Sequence, residues 1–145
     1  MKKSMFLTMV ALSLTGFALM AQEASKFNGT WKGDNGQIRK LTFKDGVIYM
    51  EETQTTGRVI LRQYPTQGQE ITMTEGVWKD SKATGKLEGN RLVVDTTMPT
   101  GTKWHDGWTL ADDGKTYSAL RQNVTAGNAG GQKKGGGPET FTKQD

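Results

Sequence analysis

From Phe27 onward the chain reads as short runs in which apolar and polar residues alternate, broken about every 8–12 residues by glycine, asparagine, aspartate or proline. A period of two predicts β-strands with one face turned inward. The runs span 27–32, 37–44, 47–54, 58–64, 70–78, 84–88, 91–98, 102–110 and 115–123. The stretch "PETFTKQD" then regains β character and predicts a short final strand near 139–143. No segment beyond the first 21 residues carries a helical period. The pattern is that of an all-β fold: an antiparallel up-and-down meander of about 8–9 strands, closed into a barrel that leaves no exposed sheet edge.

Turns decide which residues share a face. Asp45-Gly46 reads as a two-residue hairpin loop, which demands positive φ. It sets Phe43 opposite Ile48, Leu41 opposite Met50 and Arg39 opposite Glu52. A four-residue loop at 55–58 then places Val59, Leu61 and Gln63 on that same face. Gly89-Asn90 sets Leu87 opposite Leu92, with Val94, Thr96 and Met98 following. Along the next strand Trp104, Asp106, Trp108 and Leu110 share parity, while His105 points the other way. The glycine-rich stretch 124–137 has nothing to bury and reads as a flexible loop.

The beginning of the chain is different in kind. Met1-Lys2-Lys3-Ser4 is basic, Met5 to Met20 is mostly apolar, and Ala21 precedes the polar Gln22-Glu23. That order predicts a helical signal peptide over 1–21 and an exported mature domain, periplasmic or secreted, over 22–145. The apolar run is shorter than a spanning helix needs, so no membrane span is expected after cleavage. Removal of Lys2 and Lys3 takes the formal charge from +4 to +2. No basic block alternates with aromatics, so nucleic acid is not an expected partner. Without cysteine there is no disulfide and no lipidated cysteine. A monomer held by its core alone is the expectation.

Gly29-Thr30-Trp31 has the glycine-x-tryptophan spacing that opens the first strand of lipocalins. "GNRLVVDTT" and "DGWTLADDGKTYSALRQ … ETFTKQ" resemble small exported bacterial lipocalin-like (calycin-type) domains, in which a hairpin of this kind precedes an aromatic-x-basic last strand. The chain departs from lipocalins in lacking their post-turn motifs, C-terminal helix and disulfide. The resemblance implies that Trp31 closes one end of the barrel beneath a basic residue, Arg121, or Lys143 if the final strand forms.

Little in the sequence points to catalysis. Its one histidine, His105, adjoins Asp106, but neighbours on a strand face opposite ways, and no nucleophile elbow occurs. One histidine with scattered carboxylates gives no metal set, and no cofactor is expected. Asp112-Asp113-Gly114 is turn chemistry. Glu52 and Asp106 are the weak catalytic candidates, since an inward carboxylate titrates high unless paired. Arg39 directly opposes Glu52, and a structural ion pair is the simpler reading.

The aromatic residues are the better clue. Together, Met50, Trp78, Trp104 and Trp108, with Arg39, Glu52 and Asp106 for orientation, make a plausible lining for a small, partly apolar or amphipathic ligand. Three readings stand open: a carrier binding such a molecule in the barrel, a ligandless envelope interaction protein with a filled barrel, and an isomerase or cyclase using an interior carboxylate. The last requires Glu52 or Asp106 to titrate well above ~4.

Overall fold

The computed structural model describes residue 19, residues 21–125 and residues 137–145. Nearly all of the expected signal peptide, and residues 126–136 of the expected loop, lie outside them. Ten antiparallel strands form one sheet. They are β1 Gly29–Gly33, β2 Ile38–Lys44, β3 Val47–Thr53, β4 Val59–Pro65, β5 Gln67–Thr72, β6 Lys82–Glu88, β7 Arg91–Thr97, β8 Lys103–Leu110, β9 Thr116–Asn123 and β10 Glu139–Lys143. Their order is β4-β3-β2-β1-β10-β9-β8-β7-β6-β5. The count exceeds the expected 8–9 because β10 is a full member, paired with β9 on one side and β1 on the other. The stretch read as one strand over 70–78 instead ends at Thr72, and Gly76–Trp78 forms a single 3-10 turn.

Hairpin chemistry accounts for most of the register. Asp45 and Gly46 both have positive φ, and Phe43, Leu41 and Arg39 face Ile48, Met50 and Glu52 as their spacing requires. Leu87 faces Leu92, and Trp104, Asp106 and Trp108 oppose Thr96, Val94 and Leu92. The β3–β4 hairpin departs from expectation. Thr53 pairs with Val59 across a five-residue loop, in which the Gln54 amide donates to the Arg58 carbonyl. One more loop residue turns the strand over. Ile60, Arg62 and Tyr64 therefore share the face of Glu52, Met50 and Ile48, and Val59, Leu61 and Gln63 take the other.

One end of the barrel is sealed. Residues 21–25 are helical, and the chain turns at Lys26 and Phe27 before entering β1. Phe27, Trp31, Tyr117 and Phe141 pack there as a fully buried aromatic cluster. The Trp31 Nε1 donates to the Phe27 carbonyl at 2.8 Å, and its ring meets Tyr117 edge-on at 4.9 Å. Lys143, the strand partner of Trp31, lies with its ammonium 5.3 Å from the ring. Arg121 does not take that place: it sits near the opposite end, beside Trp78 and Trp104.

The ladder is interrupted once. β4 and β5 follow each other without pairing, and the seam is closed by other means. At Thr66 the amide and hydroxyl both donate to the Gly46 carbonyl, and the Leu87 amide donates to the Thr66 carbonyl. β6 then passes so near β4 that a Cβ at Gly85 would overlap the Pro65 carbonyl oxygen. Further along, the 3-10 turn fills the seam: Gly76 packs on Leu61, and Gln63 Nε2 donates to Thr74 Oγ1 at 2.8 Å.

Gly85→Ala is expected to destabilise the fold by about 1–3 kcal/mol, since backbone must move to admit the methyl. Gly107→Ala, whose Cβ would meet only the flexible end of Arg91 at 3.4 Å, is expected to be near neutral. Denaturant midpoints of the two variants check the contrast; equal midpoints would show that the seam is loose.

Candidate ligand cavity

Above the aromatic floor the barrel interior changes character. Arg39 on β2, Glu52 on β3, Arg62 on β4, Asp106 on β8 and Arg121 on β9 form a charged layer across it. Arg39, Glu52, Arg62 and Asp106 are buried, and the Arg121 side chain is one-third exposed. These side chains point inward by the same period of two that places the apolar core. Burial of charge is tolerable only with pairing and hydrogen bonds. Arg62 grips Asp106 through two bonds, Nη2 to Oδ2 at 3.0 Å and Nη1 to Oδ1 at 3.4 Å, and also donates to Thr96. Arg121 Nε donates to Asp106 Oδ1 at 3.0 Å and its Nη2 to the Tyr64 hydroxyl at 3.4 Å. Arg39 is paired with Glu52, as its register predicts, and donates to the Tyr117 hydroxyl at 3.3 Å.

Aromatic faces carry the rest of the cationic load. Arg39 lies 4.0 Å over Phe141, and Arg62 lies 4.0 Å over Trp78 and 4.8 Å over Tyr64. The rings supply negative quadrupole where no further carboxylate is present. Burial opposes ionisation of Asp106, but Arg62 and Arg121 outweigh it and hold its carboxyl below the usual range. Burial likewise opposes the charge on Arg39, yet Tyr117, Tyr64 and Glu52 raise its pKa above the ordinary value. Tyr117 itself is raised, chiefly by burial, so its hydroxyl stays protonated.

A cavity of about 390 Å³ opens from this layer to the end opposite Trp31. Arg39, Glu52, Asp106, Trp108 and Arg121 line it, with Ala119 as further apolar wall. Its rim comprises Asn35, Gln37, residues 54–56 of the β3–β4 loop, and Glu139. Of the residues expected to line a pocket, Arg39, Glu52, Asp106 and Trp108 therefore meet around one space. Met50 does not join them; it is buried in the core, receiving the Tyr64 hydroxyl at its sulfur. Trp78 and Trp104 stack edge-on at 6.1 Å beside the seam and are absent from the cavity wall. Asp106, held low, lacks the elevated titration that an acid or base near neutrality requires.

Three contributors were not anticipated. Arg62 was assigned to the wrong face by the loop-length error at 54–58, and the glycine at position 57, φ +86°, was the sign of a longer turn. Arg121, one of the two basic residues expected over Trp31, belongs to this layer, and with the final strand formed Lys143 takes the place over Trp31. Gln37, read as the start of a strand, lies in the turn before β2 and folds its side chain over Gly33. Among the described residues, no group of three or more His, Cys, Asp or Glu is placed to hold a metal.

Asp106→Asn is expected to cost about 3–5 kcal/mol at neutral pH, because two guanidiniums lose their shared anion. The native carboxyl titrates below its unfolded value of about 3.9, so its contribution is complete above that value and is lost as the pH falls through the native one. The stability gap between the wild type and the variant should therefore narrow below about pH 4. Urea unfolding from neutral to acid pH measures it, and a gap independent of pH would contradict this role for Asp106.

Neither a known protein family nor any curated protein matches this chain. Solved structures do. The fluorescent protein UnaG is 13% identical with a TM-score of 0.59, over 83% of this chain and 99% of its own. The zebrafish ileal bile acid-binding protein, complexed with cholic acid, is 14% identical with a TM-score of 0.53, over 83% of this chain and all of its own. The REP1-NXSQ fatty acid transporter is 13% identical with a TM-score of 0.55, over 84% of this chain and 98% of its own. At such identities the likeness is one of architecture: an all-β, nearly closed antiparallel barrel.

Proposed function

We propose that this chain is an exported carrier, binding a small, partly apolar molecule with an acidic group in the open half of the barrel, without catalysis. The observation that carries this reading is the charge of the interior layer. Within that layer three guanidiniums, Arg39, Arg62 and Arg121, share two carboxylates, Glu52 and Asp106, and of the three Arg39 and Arg121 line the cavity, beside Trp108 and Ala119. An acid supplies the missing negative charge, and charge-assisted bonds to a guanidinium are among the stronger polar contacts available. The apolar part of the ligand lies against the Trp108 ring. Two structural neighbours support this class of cargo, one solved with cholic acid and one named for fatty acids. The basic, apolar and small-residue order of 1–21 supports the export part of this reading.

Native mass spectrometry of the mature chain, purified from the compartment to which its own cell exports it, tests the proposal. The expected result is an added mass of a few hundred daltons, lost on denaturation. Arg121→Gln should weaken retention of that mass about 10–100-fold, the worth of a hydrogen bond to a charged group. A bare polypeptide mass from the native source would remove the carrier reading in favour of an interaction protein.

A further inference from the structure

The two interior carboxylates are not equivalent. Asp106 is saturated: both of its oxygens accept hydrogen bonds from guanidiniums. Glu52 is not. Its Oε2 receives Arg39, while no described side chain donates to Oε1. The residue is 8% exposed and lines the cavity, and Oε1 is not among the buried oxygens sealed off without a partner. One oxygen of a nine-tenths-buried carboxylate thus opens onto the ligand space. Buried acceptors in folded proteins are satisfied by protein, water or ligand.

The rim repeats the pattern. Glu139 accepts from two neutral amides, Asn35 Nδ2 and Gln37 Nε2, both at 3.1 Å. Neither donor carries charge, and no cation pairs with Glu139 among the described residues. The Gln37 amide orientation follows from this contact, because the reversed amide would set its carbonyl oxygen against the carboxylate. Glu52 and Glu139 make the β3 and β10 parts of the wall acceptor-rich. On β9, which neighbours β10 in the sheet, Arg121 uses Nε and Nη2 within the layer, and its Nη1 has no acceptor among the described residues.

We infer that the cavity takes an amphoteric molecule of the amino-acid class, its amine on Glu52 Oε1 beneath Glu139, its acid on Arg121 and its apolar body on Trp108. This inference rests on the carrier reading and adds the amine to it. A plain acid leaves the Glu52 oxygen to water and meets two carboxylates on its way in. An amine on the same body turns both into attractions. The volume of about 390 Å³ suits a compact body of this kind.

Three probes of one shape separate the terms: L-tryptophan with both groups, indole-3-propionic acid without the amine, and tryptamine without the acid. Calorimetric titration of the mature wild-type protein should find tryptophan about tenfold or more tighter than either of the others. Glu52→Gln should bring tryptophan down to the level of indole-3-propionic acid, whose own binding should hold or improve. The wild-type comparison stands alone if that variant fails to fold. Indole-3-propionic acid binding as well as tryptophan would overturn the amine subsite and leave an acid carrier. Tryptamine binding as well as tryptophan would overturn the pairing of acid with amine. Binding of none of the three would overturn the inference, while the native mass measurement still decides whether the protein is a carrier.

Discussion

Asp106 holds two guanidiniums inside a β-barrel, and much of the molecule is arranged around that contact. A buried arginine without an anion is more than a domain of this size can sustain against its small net stability. With Asp106 in place, Arg62 is fixed on β4 and Arg121 on β9, which ties strands from both halves of the sheet to β8 through the interior. Arg62 in turn offers its flat face to Trp78, and so anchors the 3-10 turn that fills the seam beside β4. The layer also sets the depth of the cavity: below it Phe27, Trp31, Tyr117 and Phe141 pack together, and above it the barrel is open.

The sequence made the fold legible wherever turn chemistry was unambiguous. Asp45-Gly46 and Gly89-Asn90 each admit one loop length, and every residue pairing derived from them occurs in the structure. The Arg39–Glu52 pair and the inward parity of Asp106 follow from the same arithmetic, whereas the basic cover on Trp31 is what the resemblance to lipocalins implies. At 54–58 the chain offers Gln-Thr-Thr-Gly-Arg, which suits a loop of four residues or five. That one ambiguity reverses β4 and hides the inward direction of Arg62. Trp78, expected in the ligand lining, lies elsewhere for a different reason. A tryptophan after a run of alternating residues looks like strand, and its position in the seam depends on β4 and β5 failing to pair, which no local pattern records.

Shared architecture and lining chemistry point in partly different directions here. The zebrafish and REP1-NXSQ proteins named for bile acids and fatty acids are related to this chain by the path of the backbone. The side chains around its cavity are mostly polar or charged, with Trp108, Ala119 and Leu120 as its apolar members. A barrel provides an interior, whereas the residues at alternate positions decide what the interior will hold.

The place of β10 has a kinetic side. At the seam between β4 and β5 no ladder joins the halves of the sheet, so among the described residues the strand ladder connects β1–β4 to β5–β9 only through the last strand. Those five residues, Glu139–Lys143, reach a partner more than a hundred positions earlier in the chain. Contacts of that sequence separation form slowly, after local hairpins are already made. The hairpins on either side can form before the two halves are joined, and closure of this barrel waits on that long-range pairing.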